Sequence, residues 1–354
     1  MIANFADLCT YLYVLTDEAY QAVAAPYDTR PGPDALFSDS ELITLTVAAE
    51  LLGIAAETRF LAYVRRNHRA LFPLLPERSR YNRRRRQLIE VTNRLRSAIM
   101  ARLWRVLEAE GQDLCVVDSV PVPVVGYHHA AGEHRWWGEA DFGRVPSKKP
   151  AIYGFRLHLL VSHSGLILDF TLAAANHHDG KLTAQLLADQ AGLTVLGDKG
   201  YIDGPLQADL MARQDLTLLT PKRRNQRDQL PAALTQAIKH FRQIIEAVNS
   251  QLVEQFQLQR NRAKSLSGLC ARVQAKLTAH TFGLYLNYLL GRPLLALMDL
   301  ALIQVLLTSY LSQMQVLAKW MKARKRRAYL SNREKTRRKY LSLPMKHSMR
   351  CRSL

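Results

Sequence analysis

The feature that most constrains the fold is a change in hydrophobic period near residue 113. Before it, apolar residues recur every three or four positions, as they do on one face of a helix. After it, short apolar runs alternate with helical segments in the order strand, strand, strand, helix, strand, helix, strand, helix. The turn Ser164-Gly165 predicts a hairpin between the second and third strands. These patterns predict an α/β fold, with a mixed sheet flanked by helices.

The first 76 residues are predicted to be helical. Ser38 and Glu41 have the spacing of a capping box, and the apolar residues after them keep a helical period. Short helices ahead of a basic segment are typical of a helix-turn-helix-like DNA-binding module. They are also typical of a plain helical bundle, and the pattern does not separate the two.

An arginine-rich segment follows, and residues 80–107 are predicted to form one helix with an apolar stripe. This helix contains a run of four arginines, Arg83, Arg84, Arg85 and Arg86. Four cations in a row without paired acids favour contact with DNA phosphates over the alternative, a solvated charged face.

The chain has 354 residues and a net charge of +19, with 49 Lys plus Arg against 30 Asp plus Glu. A hydrophobic content of 48% excludes a disordered chain, which would lack apolar residues to bury. The excess charge is confined to residues 77–105, net +8, and residues 319–354, net +13. Such an excess indicates a polyanionic partner, either nucleic acid or an anionic membrane surface.

The sequence also bears on the cellular compartment. The first 20 residues have no basic region of the kind that opens a secretory signal. The most apolar window, residues 284–307, is interrupted by Arg292 and Asp299, which favours a buried helix pair over a membrane span. The four cysteines are far apart and form no CxxC motif, so we expect reduced thiols, no zinc site and a cytoplasmic protein.

Three acidic residues lie where the predicted elements would converge. Asp118 follows the first strand, Asp198 follows the strand after the hairpin and helix, and Glu246 lies among apolar residues of the last helix. Strand-end aspartates of such a sheet face the crevice where ligands usually bind. Three carboxylates without Cys or His ligands suit Mg²⁺ or Mn²⁺. Taken singly, each acid is more simply explained as a cap, turn or solvated residue.

Several stretches, in one order, make the sequence similar to the DDE insertion-sequence transposases, and within them to the insertion-sequence family numbered 982. They are Ser79 to Arg84, Val116 to Ser119 with Pro121, Ser147 to Lys149, Tyr153 to Leu159, His178-Asp179, Gly197 to Tyr201, Arg242 to Glu246, Ser250 to Leu252, and Arg260 to Leu269. The resemblance spans residues 38–297. It implies an RNase H-like catalytic domain preceded by an all-α DNA-binding region.

The resemblance also implies a reaction. Asp118, Asp198 and Glu246 would be catalytic and would hold two divalent cations, Mg²⁺ or Mn²⁺. One cation would activate a water that cleaves the element's end, and the freed 3′-hydroxyl would then attack target DNA. The partners would be double-stranded DNA at the element's terminal inverted repeats and at the target, and the protein would act as a homodimer. Arg242 matches part of the family's helix signature, whereas Lys239 and Val253 depart from it.

Candidate contacts with DNA are the cations near these motifs. The full set is Arg83, Arg84, Arg85, Arg86, Lys199, Lys222, Arg223, Arg224 and Arg242. Lys199, Arg242 and His158 are candidates for the phosphates beside the scissile bond, with ordinary ion pairing as the alternative. Trp136 and Trp137 would stack on an unpaired base if exposed, although a packed loop is the simpler explanation.

The predicted organisation has four parts. They are a helical region at 1–76, the arginine-rich helix at 77–110, the catalytic domain at 111–300 and a basic, partly disordered tail at 301–354. Two other functions remain open: a metal-dependent nuclease of the same fold that cuts without joining, and an inactive DNA-binding remnant. The tail itself is either a DNA-contacting arm or an extension of the reading frame.

Overall fold

The computed structural model describes residues 5–23, 35–108, 113–132, 136–143, 151–177, 179–201, 203–220, 232–260, 262–298 and 300. All of them belong to one compact unit, Met1–Leu302. The predicted basic tail, residues 301–354, lies outside the described residues.

Helices form most of the described chain before residue 113, as predicted. They are α1 (Phe5–Val23), α2 (Asp39–Leu51), α3 (Glu57–Asn67), α4 (Arg78–Gln87) and α5 (Ile89–Glu108). The predicted capping box is confirmed. The Glu41 amide donates to the Ser38 hydroxyl at 3.1 Å, and the Ser38 amide donates to the Glu41 carboxylate at 2.9 Å. These two bonds satisfy amides that would otherwise lack partners at the start of α2.

The single helix predicted for residues 80–107 is wrong, because the chain bends at Leu88 between α4 and α5. The two helices make different hydrogen bonds, although both pack against residues 266–289. The Tyr81 hydroxyl on α4 lies 2.8 Å from the Thr46 hydroxyl on α2. On α5, the buried Arg96 donates to the Ile167 carbonyl at the edge of the sheet, at 2.8 Å.

Six strands within the described residues form one mixed sheet. They are β1 (Leu114–Val125), β2 (Asp141–Gly143), β3 (Ile152–Ser162), β4 (Ile167–Ala174), β5 (Thr194–Leu196) and β6 (Thr217–Leu219). Their order is β2-β3-β1-β5-β6, and β4 also pairs with β3. β1 is antiparallel to β3 and parallel to β5, and β5 is parallel to β6. With helices against it, this sheet is consistent with the RNase H-like fold, so the predicted fold class is confirmed.

β1 is longer than the sequence pattern predicted. From the sequence, the apolar run predicts a strand that ends at Asp118, and the Gly-, Pro-, His- and Trp-rich residues 119–150 predict a loop. Instead β1 continues to Val125, and β2 lies within the predicted loop. Asp118 is therefore in the middle of a strand along its β3 edge. The pairing of β1 with β5 ends at Val116, so Asp118 lies just beyond the end of that pairing.

Two prolines in β1 explain why its second half escaped sequence analysis. Pro121 and Pro123 carry no amide hydrogen, which normally argues against an inner strand. The Leu114 carbonyl accepts a hydrogen bond from the His163 amide on the β3 side, so odd-numbered residues of β1 direct their backbone groups to the β5 side. β5 pairs with β1 only as far as Val116. Neither proline therefore removes a hydrogen bond from the sheet.

The remaining strands and helices occur in the predicted order. The hairpin of β3 and β4 is confirmed. The helices that follow are α6 (Asp179–Leu186), α7 (Gly204–Gln214) and α8 (Ala232–Ser250), and α8 continues into a π-helical turn, Gln251–Gln255. α8 packs on β1, which brings the end of this helix to the middle of the sheet.

The last described helix, α9 (Leu266–Leu289), is buried along most of its length. The Lys276 ammonium on α9 donates to the Glu50 carboxylate of α2 at 2.7 Å and to the Phe256 carbonyl. This buried ion pair joins the N-terminal helices to the segment that follows α8. Every helix within the described ranges is too short or too polar to cross a lipid bilayer.

Candidate active site

Two aspartates lie side by side where parallel strands end. β1 and β5 pair in parallel, and their last pair joins Val116 to Leu196. Asp118 and Asp198 each follow that pair by two residues, so the register brings them to the same level of the sheet. Burial is the main cause of the raised pKa of Asp118, and the charge of Asp198 raises it further, as expected for carboxylates on neighbouring strands.

Asp118 is held in an environment that disfavours its charge. Burial raises the pKa of its carboxyl group to about 6, and the Asp198 carboxylate adds to the increase. Three contacts act in the opposite direction. They are the Ser119 amide, which donates to Oδ1 at 2.8 Å, the Arg242 guanidinium, and the Asn249 amide, which donates to Oδ2 at 2.9 Å. Near neutral pH the carboxylate is charged at a cost in stability, which a bound cation would reduce.

Asp198 begins a tight turn that fixes its carboxylate. Its Oδ1 accepts a hydrogen bond from the Gly200 amide at 2.7 Å, and residues Lys199–Tyr201 form a 3₁₀ turn. Tyr201 is buried beneath the turn. Gly197, just before Asp198, lies against the side chains of Tyr201 and of Val117 on β1, whereas Asp198 itself remains partly exposed.

One face of α8 is directed at these aspartates. Arg242, Glu246 and Asn249 share that face because they are spaced by four and three residues. The Arg242 guanidinium lies 4.0 Å from the Glu246 carboxylate, and both side chains are at least half exposed. Arg242 also acts electrostatically on Asp118. It therefore acts on both Asp118 and Glu246.

The structure brings Asp118 and Asp198 together but does not group Glu246 closely with them. Among the described residues, no three His, Cys, Asp or Glu side chains lie near enough to hold one ion. The donor chemistry nevertheless fits a hard divalent cation, since two like-charged carboxylates lie together and the nearby ligand atoms are oxygens. Glu246 lies on the correct face of α8 and has the exposure to turn towards them.

This geometry is located within a region that matches a known family. Residues 108–266 match the family model of the transposase DDE domain. We refer to these residues as the DDE region. It contains all six strands, the aspartate pair and the face of α8 that bears Glu246. No curated protein and no solved structure matches the chain.

The match supports the coarser part of the sequence interpretation. The DDE region suggests a role in DNA transposition and hence binding to DNA. The resemblance to the insertion-sequence family numbered 982 remains a prediction.

The four consecutive arginines of α4 do not share one role. Arg84 donates to the Phe37 carbonyl at 2.6 Å and pairs with Asp39, and Arg85 lies 3.5 Å from the Glu57 carboxylate. Both arginine side chains are only 12% exposed. Arg83 and Arg86 are exposed. Sequence analysis treated the run as one DNA-contacting set, because it could not show that acids from α2 and α3 pair with its inner members.

Among the other residues predicted to contact phosphates, His158 lies away from the aspartates, and several cations lie outside the described residues. His158 pairs across the strands with Ser119, whereas Asp118 pairs with Leu159. Directly opposed residues share a face, so His158 lies on the other face of the sheet from Asp118. This placement removes His158 from the candidates for the scissile phosphate. Lys222, Arg223 and Arg224 lie outside the described residues, as does the side chain of Lys199.

The two adjacent tryptophans have different environments. Trp136 is 1% exposed and packs edge to face against Phe155, with ring centroids 5.9 Å apart. Trp137 is 80% exposed. Stacking on a base needs an accessible ring face, so in this conformation only Trp137 meets that requirement. The packed-loop alternative describes Trp136 correctly.

Sequence analysis missed Asn249, the residue of α8 that contacts Asp118 directly. Its signal was weak but present. It lies three residues after Glu246 and therefore on the same helix face, one turn further along. Asn249 lies between Arg242 to Glu246 and Ser250 to Leu252, the stretches that carry the family resemblance, so no motif marked it.

Proposed function

We propose that the protein is a DNA transposase that binds the ends of an insertion sequence, cleaves phosphodiester bonds there and joins the 3′ ends to target DNA. One observation carries this proposal. The Asp118–Asp198 pair, with Arg242 and Glu246 facing it from α8, lies within a region similar to the transposase DDE domain. Action on two ends would require two copies of the chain on the DNA.

The three carboxylates would hold two divalent cations, Mg²⁺ or Mn²⁺. When bound, such cations activate an attacking water or 3′-hydroxyl and offset charge that develops on the phosphate. Asp118 and Asp198 are already at one level of the sheet. Glu246 would have to exchange its neighbour Arg242 for the cation site. Arg242 would then be available to a phosphate beside the scissile bond, where a fixed cation stabilises the transition state.

The exposed arginines of α4 would supply DNA affinity. Arg80, Arg83 and Arg86 are exposed and follow one another at three-residue spacing, so they lie along one side of the helix. Arg84 and Arg85 instead bind acids of the protein. We therefore assign DNA contact to the three exposed arginines and a structural role to Arg84 and Arg85.

Catalysis is tested with the full-length protein and the DNA that flanks its gene, in the presence of Mg²⁺ or Mn²⁺. Wild type should cleave at the element's ends and join 3′ ends to a target plasmid. Asp118→Ala, Asp198→Ala and Glu246→Ala should each abolish cleavage but retain end binding. EDTA should stop turnover, and Ca²⁺ should support binding without efficient cleavage.

The products of that assay separate the candidate functions. Cleaved ends that are never joined would identify a nuclease instead of a transposase. End binding without cleavage by wild type would identify a DNA-binding remnant. A variant that still cleaves would exclude its residue from the catalytic set, and robust cleavage in EDTA would refute the use of divalent cations.

DNA contact is tested by the salt dependence of binding. Each lost phosphate contact lowers the slope of log K against log salt concentration by about 0.9. The double variant Arg83→Ala/Arg86→Ala should therefore reduce the slope by about 2 without altering the fold. A control with the same loss of charge is Arg94→Ala/Arg213→Ala, which removes exposed arginines from α5 and α7. Equal effects of the two double variants would show that α4 has no specific role.

A further inference from the structure

Asn249 makes the direct contact between α8 and Asp118. Its Nδ2 donates to the Asp118 Oδ2 at 2.9 Å. An ionised carboxylate can only accept hydrogen bonds, so the amide must direct its NH₂ group to Asp118. This requirement fixes the orientation of the amide and leaves its Oδ1 without a bond to the carboxylate.

The Oδ1 atom of Asn249 is buried and has no hydrogen-bond partner among the described residues. Buried polar atoms in proteins are nearly always hydrogen-bonded or bound to a metal or an ordered water. An unsatisfied amide oxygen beside two carboxylates is therefore an oxygen donor without its natural partner. Its position next to Asp118 indicates that this partner belongs to the same site.

Glu246 does not fill that role in this conformation. Its side chain is 64% exposed and its carboxylate lies 4.0 Å from Arg242. Asn249 is three residues further along α8, on the same face, and already bonded to Asp118. The helix thus presents two oxygen-bearing groups on this face, an exposed carboxylate and an amide bonded to Asp118.

We propose that Asn249 is a fourth protein group of the divalent-cation site. It fixes the Asp118 carboxylate through Nδ2 and offers Oδ1 to the hydrated cation. Amide oxygens are common ligands of hard divalent cations, and groups that orient a liganding carboxylate control its affinity for the metal. This inference rests on the proposed function, because that function assigns divalent cations to the site.

The test is Mn²⁺ binding to the full-length protein, measured by isothermal titration calorimetry without DNA, with Asp118→Ala defining binding at other sites. Asn249→Leu should weaken the Asp118-dependent binding about 10–100-fold. Asn249→Asp keeps an oxygen and adds a charge, so it should bind Mn²⁺ at least as tightly as wild type. It should also show a larger rise in melting temperature on adding Mn²⁺. Gln243→Leu, which removes an exposed amide elsewhere on α8, should match wild type.

A purely structural Asn249 would give a different pattern. Leu and Asp would both disturb the packing, and the Mn²⁺ affinity of the folded variants would equal that of wild type, which would overturn the proposal. If Asn249→Leu does not fold, Asn249→Asp decides. Stabilisation by Mn²⁺ beyond that of wild type supports the proposal, and no extra stabilisation refutes it.

The same titration keeps this inference separate from the proposed function. Asp118-dependent binding that needs Asn249, in a protein that neither cleaves nor joins DNA, would leave the inference standing and refute the transposase. Cleavage by wild type together with unchanged Mn²⁺ affinity in Asn249→Leu would support the proposed function and refute the inference about Asn249. Absence of Asp118-dependent Mn²⁺ binding in wild type would overturn the inference directly.

Discussion

Replacing Asp118 with asparagine should stabilise the cation-free protein. Burial and the neighbouring Asp198 raise the pKa of Asp118 from 3.8 to about 6. Since each pKa unit is worth about 1.4 kcal/mol, ionisation of the buried carboxyl costs the folded state about 3 kcal/mol at neutral pH. A neutral amide avoids this cost. The Asn249 amide can rotate to accept from the new NH₂ group, so no hydrogen bond at the site need be lost.

The sign of the pH dependence follows from the raised pKa. At about pH 4 and below, the folded carboxyl is protonated and the unfolded one is only partly ionised, so wild type and Asp118→Asn should have nearly equal stability. Between about pH 4 and pH 6 the unfolded chain ionises while the folded carboxyl keeps its proton, and above about pH 6 both states are ionised. Wild type should therefore fall behind the variant by an amount that approaches about 3 kcal/mol near pH 8.

Urea unfolding in EDTA at several pH values between about 4 and 8 measures this difference. Asp209→Asn is the control, because this exposed α7 aspartate pairs with exposed Arg213 and its loss should change stability by less than about 1 kcal/mol. Equal stability of wild type and Asp118→Asn near pH 8 would refute the reasoning. A difference that did not change with pH would show that the effect comes from packing and not from ionisation.

Three further substitutions probe the framework around the site, each by urea unfolding. Gly154→Ala should cost about 1–3 kcal/mol, because its Cβ would overlap the backbone of β1, and wild-type stability would show that the strands can separate there. Lys276→Ala should cost about 3–5 kcal/mol by leaving Glu50 buried without its partner, and a loss below about 1 kcal/mol would contradict this. Arg84→Ala should similarly destabilise the fold through Asp39 rather than weaken DNA binding in proportion to its charge, and a purely salt-dependent loss of binding would reverse that assignment.

The predicted elements that proved accurate were those encoded by local patterns. The capping box at Ser38 and Glu41 acts within four residues, and the hairpin around Ser164-Gly165 depends on one turn. The spacing of apolar residues shows which side of a helix or strand faces the core. This spacing predicts the type of element even when the segment that packs against it is unknown. The order of these elements then limited the sheet to a few arrangements.

The misplaced boundaries share a different cause. The predicted single helix is interrupted at Leu88, beyond which the hydrogen bonds change from α2, for Tyr81 of α4, to the sheet edge, for Arg96 of α5. The second half of β1 is tolerated because β5 ends at Leu196, where Pro121 and Pro123 lose nothing. Both facts depend on where another segment lies, and no local pattern contains that information.

The sequence by itself determined the helical N-terminal region, the mixed α/β sheet and the identity of the acids worth considering, since all three follow from residue type and spacing. Only the tertiary structure decided which charged and polar groups are available to bind DNA or a cation. In the folded protein, Arg84 and Arg85 pair with acids of the protein. His158 lies on the opposite face of the sheet from Asp118, whereas Asn249 contacts Asp118 directly. The physical reason is that the energy of a charged or polar group depends on its neighbours and its burial, and both are set by contacts between residues far apart in the chain.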